Sequence, residues 1–454
     1  MQRFLSIERT HRPARVLVLA AGLALAPLCP KGADAAPAST APSAAFDRQV
    51  LRGLSLAGAQ RLALERNWDL LAAVAGIDAA TAQKMVAREF PNPTLSLATS
   101  KINVDDHPNS TAAGNGAWNR GYDTIVAINQ LFEIGGKRHS RQSSAQAGLE
   151  NARALFHDAR RTLDLAVAKA YVAAALAEEN ARVLEHSAAS LRQEAKIAEV
   201  RLKAGELSSA DQAQIEMNAE RFELDAQTAA ATAAQARVAL EVWLGVPQPA
   251  ADCVLADRLE VLAGSTELGN TNSVGEWRPD VVAAETAWRK AEADLRLQKA
   301  VRIPDPTVQA QYEHEPPDAP NSVGVGVSFP LPLWNRNRGN ILAAEAAREQ
   351  ARLAYEKAKA QAVADIATGI LAYQDTLQRW TRYRSSIRSK SDQVRQTKAY
   401  AYEKGGASLL DMLVAERDDN DVRLAANQAA GDTATAIATL QAATAEIQPS
   451  RQKK

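Results

Sequence analysis

Leu149, Phe156, Leu163, Ala170, Ala177, Leu184 and Leu191 stand seven residues apart, and Ala152, Ala159, Ala166 and Ala173 follow three residues behind the first four. A heptad sustained this long is the pattern of helices packed as coiled coils. It predicts a helix of about 65 residues, which at 1.5 Å per residue is roughly 100 Å long. No compact domain needs that length; a tube or a spacer does. The second half of the chain carries the same pattern in Ile366, Tyr373, Trp380, Ile387, Val394 and Ala401, with Val363, Ile370 and Leu377 alongside. Alanine dominates the composition and aromatics are only 5%, which suits long helices in close contact through small side chains.

A strand feeds each long helix. In Ser322–Gly339, Val323, Val325, Val327 and Phe329 alternate with Gly324, Gly326 and Ser328 until Pro330 and Pro332 stop the ladder. Tyr122–Arg138 is the earlier version and passes through Gly135-Gly136 into its helix. The motif Phe90-Pro91-Asn92-Pro93-Thr94 recurs as Ile303-Pro304-Asp305-Pro306-Thr307, 213 residues on, and the helix opening Asn67–Leu70 meets Asp280–Ala283 at that offset. Further along, Gly205 matches Gly405 and Asp211 matches Asp411, 200 residues apart. The lost residues belong between two strands, where length varies most freely. Each half therefore reads helix, strand, loop, strand, very long helix, turn, helix. The four strands are expected at Thr94–Lys101, Tyr122–Leu131, Thr307–Glu313 and Ser322–Leu331. A tilted membrane strand and a half-buried strand of a soluble protein share this alternation.

The N-terminus reads as a secretory signal over residues 1–35: Arg3, Arg9, Arg12 and Arg15, then the apolar run Val16–Ala26, then Ala33-Asp34-Ala35 as the cleavage site. Cys29 offers a lipoprotein alternative, although Ala26-Pro27-Leu28 lacks the small residue that normally precedes such a cysteine. Cleavage after Ala35 leaves one thiol, Cys253, and no intrachain disulfide. Residues 36–53 are expected to be disordered, 54–245 and 279–446 to form the two repeats, 246–278 an irregular linker, and 447–454 a loose tail. The 53 basic and 53 acidic residues argue against a bulk nucleic-acid binder. Past the signal no run of 18 apolar residues occurs, so any membrane crossing is by strands. Four strands cannot close a barrel and an open sheet edge is not viable in lipid, so several chains would have to share one.

These features together resemble the TolC-type outer-membrane efflux proteins. The likeness rests on the Leu54-Ser55-Leu56 to Ala63-Leu64-Glu65-Arg66-Asn67 opening, the twin repeats, the Pro-x-Pro motifs and the Gly turns; Trp68 replaces the proline usual after that Asn. The resemblance implies a mainly α fold with a membrane β-barrel. A homotrimer would build a 12-stranded barrel, with antiparallel coiled-coil helices forming a periplasmic tunnel. It implies a periplasmic adaptor, an inner-membrane RND-type pump and outer-membrane lipid as partners. The run Phe329-Pro330-Leu331-Pro332-Leu333-Trp334-Asn335-Arg336-Asn337-Arg338-Gly339 is similar to the heavy-metal cation, CzcC-like branch, implying export of divalent cobalt, zinc, cadmium or nickel. A channel for drugs, other solutes or secreted protein shares the fold. A periplasmic coiled-coil adaptor and a cytoplasmic coiled-coil scaffold are the readings from other classes.

No phosphate-binding loop, nucleophile elbow or zinc-protease motif is present, so no enzyme and no cofactor are expected. The six histidines do not pair at metal-ligand spacing, and His314 is expected in a solvated loop. Family position makes Asp411, six residues after Gly405, an aperture residue; the second acidic position is Val414 here, with Glu416 close by, and Asp211 is the repeat partner. In a trimer each becomes a ring of negative charge, a device for cation passage; as acids near helix starts they also suit the helix dipole. Gly205 and Gly405 are placed to end helices and Ser208 and Ser408 to cap the next. By the resemblance, the turns carrying Gly205, Leu207, Gly405, Gly406 and Leu409 would meet the adaptor.

Overall fold

The computed structural model describes residues 48–100, 123–264, 276–315 and 319–445; the signal segment, the longer strand connection (102–121) and the C-terminal tail lie outside them. A 3-10 turn (Arg48–Leu51) leads into β1 (Arg52–Leu54), α1 (Leu56–Arg66) and α2 (Trp68–Val86). β2 (Thr94–Ser100) and β3 (Asp123–Leu131) precede α3 (Lys137–Lys203) and α4 (Ser209–Trp243). The connection holds β4 (Val254–Leu255) and α5 (Leu259–Ala263). α6 (Pro279–Val301), β5 (Thr307–Glu315), β6 (Ala319–Ser328), α7 (Arg338–Arg382), a π turn (Tyr383–Ile387), α8 (Arg388–Glu403) and α9 (Leu409–Thr444) complete the chain.

Four of the strands form an antiparallel sheet in the order β2-β3-β5-β6. Its register aligns the apolar positions row by row: Leu95 with Ile128 and Leu97 with Val126, then Ile128 with Ala310 and Val126 with Tyr312, then Ala310 with Val325 and Tyr312 with Val323. One face is therefore apolar across all four strands, and its outer residues are bare, Val323 at 81% and Val325 at 79% exposure. The other face carries Ser96, Asn129, Gln309 and Gln311; Asn129 Nδ2 donates to Ser96 Oγ at 3.1 Å. Gly324 lies opposite Gln311, whose Cγ would sit 3.1 Å from any Cβ there, so glycine makes room for the longer amide. β5 and β6 run closer to their turn than expected, to Glu315 and from Ala319, and β6 ends at Ser328 because Pro330 cannot donate to the ladder. His314 is not in a solvated loop: it is buried in β5 opposite Thr124.

Helix ends follow local chemistry. Asn67 both ends α1, through its N–H to Ala63 O, and caps α2, its Oδ1 accepting from Asp69 N (3.0 Å) and Leu70 N (3.2 Å). The corresponding cap of α6 is Arg278, so the two openings stand 211 rather than 213 residues apart. α6 is longer, 23 residues against 19, and the stretch from its end to the Pro-x-Pro motif is two residues shorter, which together restore the offset of 213. Arg278 is buried and forks onto Asp280 (2.7 Å to each oxygen) while reaching Asp365 at 2.9 Å. That charge-assisted set anchors α6 to α7 and, despite burial, holds the Asp280 carboxyl below its ordinary value.

α3 is one unbroken helix of 67 residues. The heptad describes its ends better than its middle. Between Val167 and Ala175 two faces are buried, because α1 and α5 press on α3 as well as the long helices. Ala170, Ala177 and Leu184 are only half-buried there. The second long helix is interrupted: α7 and α8 are joined through the π turn, whose wider winding rotates the apolar stripe. Before it, Ile366 and Trp380 are buried; from it onward Ile387 and Val394 are 37% and 53% exposed. Where helices meet, small residues set the spacing: a Cβ on Gly431 would stand 3.0 Å from Leu176 Cδ2, and one on Gly369 3.3 Å from Leu440 Cδ1.

The described part of the connection, 246–264, is more ordered than expected, and so is 48–53. β1 pairs in parallel with β4, and Leu51 and Leu54 are buried. Leu259 and Ala263 of α5 pack with Val172, Trp380, Ala429 and Ala434. The buried Tyr171 hydroxyl donates to Leu54 O (2.7 Å) and accepts from Asp257 N (3.2 Å), so α3 holds both segments; burial pushes its pKa to about 12. The buried Glu241 carboxylate accepts from Ala250 N, Ala251 N and Cys253 N at 2.7–3.1 Å. Among the described residues no helix is long and apolar enough to cross a membrane.

α4 ends in a left-handed glycine, Gly245 (φ +72°), with Val246 N donating to Glu241 O and Gly245 N to Val242 O. A Cβ there would stand 2.5 Å from Arg66 O, whereas around Gly205 (φ +75°) nothing lies within 4 Å. Gly205→Ala should therefore carry only the backbone penalty, roughly 1–2 kcal/mol, and Gly245→Ala that penalty plus displacement of α1. Thermal unfolding of the two variants should show the larger loss at Gly245; equal losses would contradict the contact.

Candidate helical tips and aperture carboxylates

Both long helices finish in the same motif. Glu206 N donates to Arg201 O and Gly205 N to Leu202 O; Gly406 N donates to Ala401 O and Gly405 N to Tyr402 O. Gly205 and Gly405 (φ +73°) take the left-handed conformation this requires, and Gly406 does not. Leu207 and Leu409 are half-buried, while Gly205, Gly405 and Gly406 are exposed. Leu410, which the sequence did not single out, is 71% exposed one residue beyond Leu409.

The returning helices open on Ser208 and Ser408. Asp211 N donates to Ser208 Oγ (3.0 Å), and Ser208 Oγ donates to Asp211 Oδ2 (2.8 Å). At Ser408 the capping box is complete: Asp411 N donates to Ser408 Oγ (3.2 Å), and Asp411 Oδ2 receives Ser408 N (3.3 Å) and Ser408 Oγ (2.8 Å). Asp411 Oδ1 lies 3.5 Å from Lys398 Nζ on α8. The Ser408 hydrogen bonds, helped by Lys398, hold the Asp411 carboxyl below its ordinary value. Both aspartates are exposed and cap their own helices. Lys398 had no place in the sequence reading; its spacing of 13 residues from Asp411 across the turn was the available signal.

Glu416 is in a different setting. Its carboxylate is mostly covered and faces Arg395 at 3.6 Å. Arg395 also meets Asp392 at 3.0 Å and Asp419 at 3.3 Å, and Arg423 meets Asp419 at 2.7 Å and Asp392 at 3.2 Å. This five-residue network joins α8 to α9 about two to four turns from the tip. Asp419 Oδ1 and Arg395 Nε are buried without a hydrogen bond. Burial pushes the Glu416 carboxyl above its ordinary value, against the pull of Arg395. Glu416 and the neighbouring Asn420 border a groove of about 900 Å³ between α4 and α9, floored by Leu176, Ala177 and Leu184 of α3. Asp411 and Asp211 do not line it. Among the described residues no group of three or more His, Cys, Asp or Glu side chains is gathered to hold a metal ion.

The family model "Outer membrane efflux protein" matches residues 60–246 and 272–446. The chain belongs to the outer membrane efflux protein family. Proteins of this family are transport channels, not enzymes, in the outer membrane of Gram-negative bacteria. They serve tripartite efflux systems with an adaptor and an RND pump. Among relatives, the chain is 28% identical over 331 residues to the cobalt-zinc-cadmium resistance protein CzcC of Cupriavidus metallidurans, covering 73% of this chain and 75% of that one. It is 24% identical over 312 residues to the nickel-cobalt-cadmium resistance protein NccC of Alcaligenes xylosoxydans xylosoxydans, covering 66% and 67%. Its fold is that of the Campylobacter jejuni CmeC outer membrane channel, with a TM-score of 0.72 at 18% identity over 86% and 85% of the chains. The sequence comparison and the backbone comparison agree on the outer membrane efflux fold.

The raised Glu416 value has a definite sign. A carboxyl whose folded pKa exceeds its unfolded value destabilises the fold when ionised, so stability rises as pH falls through the folded pKa and levels off below the unfolded one. Glu416→Gln should leave the hairpin as stable as wild type or more so at pH 7, the difference vanishing near pH 4. Hydrogen exchange of α8 and α9 across that range checks it; a variant destabilised at every pH would show that the Arg395 ion pair outweighs burial.

Proposed function

We propose that this chain is the outer-membrane channel of a tripartite efflux system and that its cargo is divalent heavy-metal cations. What carries the channel reading is the sheet: an apolar face continuous over four strands, with β2 and β6 left as open edges. An open edge is not viable in lipid. Three copies, four strands each, close a 12-stranded barrel in a homotrimer. α4 and α8 are the matching edges of the helical part, and exposed Leu224 on one and Val394 on the other are surfaces for a neighbouring copy. Residues 54–245 and 279–446 act as two repeats about the 246–278 connection, behind a cleaved signal over 1–35. The cargo reading rests on the names of the cobalt, zinc, cadmium and nickel resistance relatives.

In this reading the Gly205–Leu207 and Gly405–Leu409 turns, Gly406 included, meet the periplasmic adaptor. Asp411 forms the aperture ring, Asp211 a second ring at the equivalent cap, and Glu416 an inner carboxylate. Ring charge sets the sign of the permeant ion, and Lys398 beside Asp411 partly offsets it.

A strain lacking the chain should accumulate more cobalt, zinc or cadmium than its parent under metal load, and complementation should reverse this. Unchanged accumulation of all three together with raised drug accumulation would move the cargo to organic solutes.

In planar bilayers, Asp411→Asn should reduce cation selectivity, Asp411→Arg should favour anions, and Lys398→Gln should raise cation selectivity. Reversal potentials across a salt gradient read all three, and identical values would leave Asp411 as a helix cap only.

A further inference from the structure

At both strand-to-helix junctions the apolar face outlasts the sheet. β6 ends at Ser328, yet Phe329 and Leu331 keep the parity of Val323, Val325 and Val327 and are 58% and 65% exposed. β3 ends at Leu131, yet Phe132 and Ile134 keep the parity of Val126 and Ile128, and both are exposed. Beyond Leu331 the chain folds back, with Leu333 N donating to Leu331 O at 2.8 Å, and presents Trp334 at 93% exposure. Arg336 and Arg338 follow, both exposed.

This loop is fastened. Asn337 takes a left-handed conformation (φ +57°) uncommon outside glycine. Its Nδ2 donates to Gln298 O (2.8 Å) and Gln298 Oε1 (3.1 Å) at the end of α6, and its N–H donates to Asn335 Oδ1 (3.0 Å). The equivalent segment at the other junction is fastened through Asp305, which accepts from Ile134 N (2.9 Å) and Lys137 Nζ (2.7 Å). Held backbone beneath bare aromatic and basic side chains is a surface prepared for contact. The covering medium follows from continuity, since the same apolar rows are the lipid-facing rows of the sheet.

We propose that the Phe329–Arg338 loop, together with Phe132 and Ile134, forms a collar seated in the periplasmic leaflet, with Trp334 at the headgroup boundary and Arg336 and Arg338 on the phosphates of anionic phospholipid. The inference rests on the barrel reading above. Tryptophan favours the membrane–water boundary because its ring is apolar and its N–H polar. Arginine lays its stem on apolar surface while its head stays at the phosphates.

The test uses the mature chain, without residues 1–35 and so without Cys29, in liposomes of phosphatidylcholine with increasing phosphatidylglycerol. An environment-sensitive dye is attached at Trp334→Cys or, separately, at Val325→Cys; Cys253 is fully buried and does not compete for the label. Quenching by lipids brominated on the acyl chain is expected at both positions, with the shallower bromine more effective at 334. At 334, brominated phosphatidylglycerol should quench better than brominated phosphatidylcholine, by roughly fivefold per arginine on the basis of surface attraction. Arg336→Gln/Arg338→Gln should bring that ratio near one while leaving position 325 unchanged. Quenching at 325 with none at 334 overturns the collar and leaves the barrel standing. Quenching at neither position overturns both, and a lipid ratio of one in the parent protein overturns the assignment of the arginines.

Discussion

Every backbone N–H and C=O that enters lipid needs a partner, and one chain of this protein leaves two rows of them open, along β2 and β6. The inner strands are paired residue by residue, with apolar rows on one face and amides, hydroxyls and glycines on the other. Within one chain β2 and β6 cannot pair, because four strands are too few to curl into a closed barrel. The same constraint reaches the helices. α8 carries apolar residues past the π turn that its own chain leaves exposed. In the proposed trimer, closure through other copies would answer both demands at once and would put Asp411 and Asp211 into rings.

The tips show how one residue serves two purposes. Asp411 completes a capping box and is a partner of Lys398. Those contacts fix where its charge sits, and in the proposed channel that fixed charge would serve a selective constriction. Glu416 is tied into the Arg395–Asp419–Arg423 network instead. It contributes to the α8–α9 contact more directly than to any opening. The two carboxyls are displaced in opposite directions by their surroundings, Asp411 downward by hydrogen bonds and Glu416 upward by burial.

Much of this was legible in the sequence because it rests on local chemistry. Alternation located the four strands, glycine and serine located the turns, and the sustained heptad announced α3. What escaped was fixed at long range or too short to show a period. β4 has two residues and α5 five, and both depend on partners far along the chain. Tyr171 lies off the heptad positions, and nothing local signals that its hydroxyl meets Leu54 and Asp257. The π turn is one extra residue in a winding that no composition signals. Of the site residues, the caps at Asp211 and Asp411 could be read from Ser-x-x-Asp, but the neighbours that separate Asp411 from Glu416 could not.

Barrel closure depends most directly on the number of chains in one assembly. Native mass measurement of the full-length protein, extracted from outer membranes in mild detergent, should give three chains as the dominant species. A protein that stays folded and conducts ions as a single chain would contradict it.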